Sequence, residues 1–332
     1  MPLRRQTASF EHLAQVVVVL MAAPERGEVR RGAAPSSHAE TIAAMERRTE
    51  PLVSGLGFPE GPRWRDGRLW FSDMSARTVS TVDASGRQEH VLDVPNRPSG
   101  LGWRPDGTLL VVSMEDRRLL AAPGAGSAGA VLEEVAALSA HATGHCNDLL
   151  VDGAGRAYVG NFGFDLAHWQ EQLRPTVLVV VDPGGGVAVA ADDLLFPNGM
   201  VLTPDDRTLI VAETFGARLT AFDVADDGSL TNRRPFGAAE GVFPDGICLD
   251  AEGAIWAASP VTGEVVRVRE GGEVTDRIKT SAPAALACML GGPDGRTLFV
   301  CTCTKTNPAE ADEAREGAIE MVAVDVPRAG RP

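Results

Sequence analysis

Four short stretches of the chain set a carboxylate or a carboxamide in nearly the same frame. They read FPEGPRW from Phe58, GHCNDLLVDG from Gly144, FPNGMVL from Phe196 and FPDGICL from Phe243. The polar residues at issue are Glu60, Asn147, Asn198 and Asp245. In three of the four, a proline and a glycine fix the backbone on either side and leave the middle side chain as the variable. Two carboxylates and two amide oxygens brought to one point suit a hard divalent cation. Calcium takes roughly six to eight oxygens, and magnesium or manganese uses the same donors. Zinc is compatible with carboxylates, but the absence of any need for histidine counts against it as the designed metal. Four protein oxygens also leave positions for water or substrate. Each residue taken alone is equally at home in a turn, because Asn and Asp tolerate unusual backbone beside Gly. The case for a site rests on recurrence at equivalent places.

Recurrence requires a repeating element to position the four residues. Copies of the frame begin at Phe58, Asn96, Gly144, Phe196, Phe243 and Ala282. Each joins a short apolar strand to a longer β-rich strand through a turn: Asp66-Gly67, Asp106-Gly107, Gly153 to Gly155, Asp205-Asp206, Glu252-Gly253 and Asp294-Gly295. Asp-Gly between alternating apolar runs signals a hairpin. Two weaker strand signals follow, as in TVSTVDASGRQEHVLDV and RLTAFDVADDGSLTNRRPF. Four strands per ~45 residues is the size of a propeller blade. The expectation is therefore an all-β fold, a six-bladed β-propeller with four antiparallel strands per blade, over residues 49–328, its first strand signal at Leu52. A β-sandwich would not return the same polar slot in every repeat. In a propeller the innermost strand of each blade lines a central channel, so a fixed position of the repeat becomes a ring. Blade two offers Ser99 and blade six only Ala284 and Ala285, which makes the ring lopsided.

Bulk properties narrow the function classes. The 332 residues carry a formal charge of -14, against the basic face a nucleic-acid partner requires. No run is apolar for long enough to span a bilayer. An acidic field does attract cations. Five cysteines at irregular spacing make a poor disulfide framework and fit a reducing compartment, so a cytoplasmic location is expected. Cys301 and Cys303 read as buried neighbours on one face of the strand LFVCTCT rather than as a metal or redox pair. Residues 1–48 stand outside the repeat. Two arginines ahead of a valine run imitate a signal peptide, but Glu11, His12 and Gln15 interrupt it. The segment reads as a poorly ordered leader with a short helix, or as an artefact of the start codon.

The four stretches, in this order, resemble the signatures of the family of senescence marker protein (regucalcin), gluconolactonase and luciferin-regenerating enzyme, six-bladed propellers with one divalent metal in the channel. That resemblance implies that Glu60, Asn198 and Asp245 are metal ligands. It makes Asn147 a fourth ligand or a substrate contact, and Asp245 the general base as well. Sugar-lactonase members often have an arginine two residues before the position of Asn147. This chain has His145 there, which binds polyols or carboxylates less firmly than a guanidinium fork. His145 is expected to contact substrate, help in proton transfer or serve only as a hydrogen-bonded loop residue. His141 and His145 are four apart, but Gly144 and the surrounding loop argue against a helical zinc pair. Asn161 and Asp165 follow a strand of blade three and are candidates for the same mouth. Glu115 and Glu213 end strands in blades two and four and read equally well as solvated turn charges.

The chemistry expected from these residues is metal-dependent opening of a lactone ring, the small-molecule substrate being sugar-derived or a specialised metabolite, with calcium the first choice of metal. Rivals are a phosphotriester or other ester hydrolase on the same scaffold, and a calcium-binding propeller without catalysis. No G-x-S-x-G elbow and no phosphate loop is present. A monomer or homodimer is expected.

Overall fold

The structure is a computed structural model that describes residues 47–127, 130–164, 173–305 and 308–332. The expectations placed on residues 1–46 and on Asp165 lie outside the described residues. Arg48–Pro332 form a compact unit. Its first strand, β1 (Glu50–Leu56), joins the last sheet, and the others follow in chain order. Blade one holds β2 (Pro59–Arg65), β3 (Arg68–Asp73), β4 (Thr78–Val82) and β5 (Gln88–Asp93). Blade two holds β6 (Pro98–Trp103), β7 (Leu109–Ser113), β8 (Arg118–Ala122) and β9 (Glu133–Ala137). Blade three holds β10 (Cys146–Val151), β11 (Ala157–Asn161), β12 (Thr176–Val181) and β13 (Val187–Leu194). Blade four holds β14 (Pro197–Leu202), β15 (Thr208–Glu213), β16 (Arg218–Val224) and β17 (Leu230–Gly237). Blade five holds β18 (Ile247–Leu249), β19 (Ile255–Ser259), β20 (Glu264–Val268) and β21 (Val274–Lys279). Blade six holds β22 (Ala284–Gly291), β23 (Thr297–Cys303) and β24 (Gly317–Ala323), and β1 completes it as the outermost strand. All pairings are antiparallel within six four-stranded sheets, and each innermost strand contacts the next around a closed ring. The fold is a six-bladed β-propeller.

The strand at Leu52, read from sequence as the start of blade one, therefore belongs to blade six. Blade one begins at Pro59. Within the described residues the only α-helix is the short α1 (Pro308–Ala314), between β23 and β24. None of the described helices is long and apolar enough to cross a membrane.

The core lies between blades rather than inside one sheet, because each blade is covered on both faces. Leu109 and Val111 of β7 pack toward blade one, with Val79 and Leu92. Their alternates Leu110 and Val112 pack toward blade three, with Leu149 and Val159. That is why the middle strands read as unbroken apolar runs instead of alternating ones. All five cysteines are free thiols in this core. Cys301 and Cys303 are fully buried on β23, as the strand reading expected.

The Asp66-Gly67 turn is a two-residue loop with positive φ at both residues, 52° and 77°, and Arg65 pairs with Arg68 across it. This is the backbone that Asp-Gly favours. The other turns are longer; those of blades two to five put one residue in the left-handed region, such as Gly107 at 88° and Asp206 at 56°, and that of blade six puts two there, Gly292 at 84° and Gly295 at 73°.

The proline-x-glycine frame has two structural consequences. The register of β2 slips between Glu60 and Arg63, that of β6 between Pro98 and Leu101, and that of β14 between Pro197 and Met200. The same slip occurs in β10 between Cys146 and Leu149. A bulge re-aims side chains out of the regular ladder, so Ser99, Asn147 and Asn198 fall outside their ladders, whereas Glu60 still pairs with Ser72 at the edge of its bulge. The glycine lets the next blade approach. A Cβ on Gly100 would lie 2.2 Å from the Leu149 nitrogen, and one on Gly199 2.5 Å from the Ile247 nitrogen.

Candidate metal centre

Glu60, Asn147, Asn198 and Asp245 all lie at the leading ends of inner strands, or just ahead of one for Asp245, so they share one end of the channel. Asn147 is buried. Its Nδ2 donates to the Asn198 Oδ1 at 3.1 Å and to the Pro197 carbonyl at 3.2 Å. Its Oδ1 is buried with no hydrogen-bond partner. Asn198 is oriented from behind: its Nδ2 donates to the Thr214 Oγ1 at 3.2 Å, and that hydroxyl donates to the Pro244 carbonyl at 2.8 Å. Asp245 is buried, and its backbone is fixed on both sides, its N–H donating to the Ala258 carbonyl and its carbonyl accepting from Gly199 N–H. Glu60 Oε2 accepts from the Gly61 N–H at 3.0 Å.

The electrostatics mark the two acids as a pair. Burial pushes the Glu60 carboxyl up from 4.5 to about 8; the Gly61 N–H and Arg63 oppose this and Asp148 adds to it. Burial also raises Asp245 well above the ordinary aspartate range, and the charges of Glu60 and Asp148 raise it further. Two acids that disfavour each other's charge, at the end of the channel where Asn147 leaves an amide oxygen unpartnered, form a site short of positive charge. These residues fit a hard divalent cation. Glu60, Asp245, Asn198 and the free Oδ1 of Asn147 are the atoms that would hold it. Among the described residues no group of three or more His, Cys, Asp or Glu is placed to hold a metal, so any such site leans on amide oxygens.

Two residues of this region were missed from sequence. Asp148 accepts from Arg63 Nη2 at 2.8 Å, and the buried Arg63 also donates to the carbonyls of Pro62, Leu101 and Leu149. A signal existed, because Asp148 stands where the frames of blades one, two, four and five have glycine. Its partner, 85 residues away, carries no local mark.

The other candidates are placed as follows. His145 is exposed, with its ring centroid 6.2 Å from that of Phe162 and its carbonyl accepting from the Phe162 N–H. Phe162 packs edge-on against Phe196 at 4.7 Å, so an aromatic cluster adjoins the histidine. His141 lies in a turn, and no helix joins the two histidines. Asn161 is not brought to a surface where it could meet substrate. It is fully buried, donating to the Val177 carbonyl at 2.7 Å and accepting from the Thr176 hydroxyl at 2.7 Å. Glu213 is no solvated turn charge. It is fully buried, it accepts from Arg218, Thr220 and the Leu195 N–H, and these hydrogen bonds hold its carboxyl below the ordinary range against the opposing effect of burial. Glu115 is half-buried and paired with Arg97 at 2.8 Å.

The chain is similar to known proteins over most of its length. The model of the SMP-30/Gluconolactonase/LRE-like region matches residues 58–304. A 6-deoxy-6-sulfogluconolactonase of Pseudomonas putida is 28% identical over 301 residues, covering 88% of this chain and 98% of the relative. A pentonolactonase of Haloferax volcanii is 26% identical over 288 residues, covering 82% and 92%. Among solved structures, a luciferin-regenerating enzyme superposes with a TM-score of 0.73 at 19% identity, covering 85% of this chain and 97% of the other. A protein described as calcium-binding regucalcin, from Agrobacterium tumefaciens, gives 0.71 at 22% identity, covering 86% and 97%. At those identities the two structures speak to the fold alone.

Proposed function

We propose, from the premise that this chain belongs to the SMP-30/gluconolactonase/LRE-like family, that it is a divalent-metal-dependent hydrolase opening a lactone ring. The observation that carries the proposal is the pairing of two buried, mutually unfavourable carboxylates, Glu60 and Asp245, with the unpartnered Oδ1 of Asn147. Two lactonases that align over nearly their full length support the reaction class. An all-oxygen donor set favours calcium.

A divalent cation held by Glu60, Asp245, Asn198 and Asn147 would supply positive charge to polarise the ester carbonyl and acidify water. The chain's own residues do the rest. Asp245, fixed by hydrogen bonds at its N–H and carbonyl, takes a proton from the attacking water. Asn198 is held in orientation by Thr214, so its amide oxygen faces Asn147 rather than solvent. His145, exposed beside Phe162, would touch the substrate's outer part. A neutral imidazole next to an aromatic ring selects less strongly for polyhydroxylated lactones than a guanidinium would.

The test is turnover of an activated lactone before and after chelation. Activity should vanish with chelator and return with calcium. The Asp245→Asn enzyme at saturating calcium should remain slower by about 10²–10⁴-fold, the usual loss on removing a general base. Chelation without effect, or an Asp245→Asn enzyme brought to normal turnover by added calcium, would overturn the metal role or the base role respectively.

A further inference from the structure

The opposite end of the channel carries a second concave site, chemically unlike the first. There the trailing ends of the inner strands and the C-terminal segment enclose a cavity of about 360 Å³. That volume is within the range of small-molecule sites. Four arginines, Arg63, Arg65, Arg328 and Arg331, line it against one carboxylate side chain, Asp206. In a chain of formal charge -14 this is a local reversal of sign.

The hydrogen-bond inventory separates these arginines. Arg63 is used up by Asp148 and three carbonyls. The other three keep capacity. Among the described residues the one ion-pair partner of Arg65 is the solvent-exposed Asp66, at 3.2 Å. Arg331 meets Asp206 at 3.0 Å through one nitrogen, with its side chain 45% exposed. Arg328 donates to the Trp64 carbonyl at 3.2 Å and has no carboxylate partner among the described residues. A guanidinium has five N–H donors in a planar fork, so each retains donors for an oxyanion.

The frame carrying them is rigid. Leu202 and Arg331 exchange both backbone hydrogen bonds at 2.9 Å. The Arg328 N–H donates to Gly295 and the Ala329 N–H to Leu249. The segment thus straps blades four, five and six together and presents Arg328 and Arg331 from a fixed backbone. Two half-buried indoles form the apolar wall. Trp64 stacks on Phe299 at 5.3 Å, and Arg65 lies 5.0 Å over the ring of Trp103.

We propose that this cavity binds a small organic oxyanion, a carboxylate or a phosphate monoester with a flat apolar body. Arg65, Arg328 and Arg331 would take the charged end, and Trp64 and Trp103 the apolar body. Preorganised guanidiniums make little entropic demand on binding, and partial shielding from solvent strengthens their attraction over that of exposed charges.

The experiment is calorimetric titration of the full chain with benzoate, inorganic phosphate and benzamide, which tests charge and ring separately. Benzoate should bind saturably and more tightly than phosphate, and phosphate should displace it. Benzamide should not bind. Raising the ionic strength should weaken benzoate. The double variant Arg328→Gln/Arg331→Gln should lose about tenfold or more in affinity while its lactone turnover stays unchanged. Should that variant fail to fold, phosphate competition on the natural chain still decides the matter. No saturable binding of either anion would overturn the site, and so would benzoate affinity untouched in a folded double variant. Phosphate binding tighter than benzoate would overturn the role given to the indoles.

Discussion

At the scale of single residues, the candidate centre is held under tension by charge. Glu60 is raised from 4.5 to about 8 and Asp245 is raised as well, both chiefly by burial. A raised carboxyl pKa means that the folded chain holds a proton the unfolded chain has released. Folding free energy from this source is therefore intact below the unfolded value and is lost as pH rises toward the folded one. In chelator, the melting temperature should fall as pH rises from 4.5 to about 8, the window set by Glu60. Excess calcium should abolish that fall, because a bound cation compensates both charges. The Glu60→Gln variant should show a shallower fall in chelator and a smaller gain from calcium. Calorimetry across this pH range, with and without the metal, checks all three. A melting temperature that rises with pH in chelator, or a calcium gain equal at both ends of the range, would contradict the charge argument.

At the scale of elements, what matters is how the inner strands meet. The bulge takes Asn198 out of its ladder and opens directly after Glu60, and the glycine beside each residue admits the neighbouring blade. Gly100 shows the constraint best, since an added Cβ would sit 2.2 Å from the backbone nitrogen of Leu149, which cannot swing away as a side chain could. Gly100→Ala should cost at least about 2 kcal/mol, at the upper side of ordinary overpacking. Gly253, with φ of 78° and nothing within 4 Å of an added Cβ, is the contrast. Gly253→Asn should stay within about 1 kcal/mol, because Asn tolerates that backbone. Urea midpoints of the two variants provide the comparison, and equal losses would refute the packing account. This frame was legible in the sequence because it is local: a proline, a polar residue and a glycine, followed by a turn. The Asp66-Gly67 hairpin was legible for the same reason. Asn161 was not, since strand periodicity does not say that Thr176 and Val177 consume its amide. Glu213 looked like a turn charge at a strand end, yet Arg218 and Thr220 hold it inside. Both errors come from partners on a neighbouring strand, which the spacing within one strand does not record.

At the scale of the whole molecule, the ring is closed by its first strand. β1 pairs with β24 through five register partners, from Glu50 with Met321 to Leu56 with Gly317. Thr49 adds hydrogen bonds to the Lys279 carbonyl and to the buried Glu320, 271 residues away. That pairing was beyond a repeat argument, because a strand at Leu52 looks the same whether it opens blade one or finishes blade six. The consequence can be tested with two shortened chains. One starts at Arg48 and keeps β1; the other starts at Phe58 and lacks it. Val53 and Leu56 are both buried, and each contributes about 1.5–3 kcal/mol by leaving water. Together they are a large share of the 5–15 kcal/mol typical of a domain. The chain from Arg48 should match the full chain in melting temperature and lactone turnover. The chain from Phe58 should melt far lower and self-associate, since β24 would become an unpaired edge at the rim of blade six. Glu320 would also lose the Thr49 hydroxyl that helps hold its carboxyl below the ordinary range, so the deficit of the shorter chain against the full chain should widen as pH rises through that range. Supplying a peptide of residues 48–57 should restore part of the melting temperature, because it replaces the missing edge partner without covalent connection. If the chain from Phe58 melts with the full chain and stays monomeric, closure by β1 contributes nothing measurable, and the blade-to-blade core alone holds the ring.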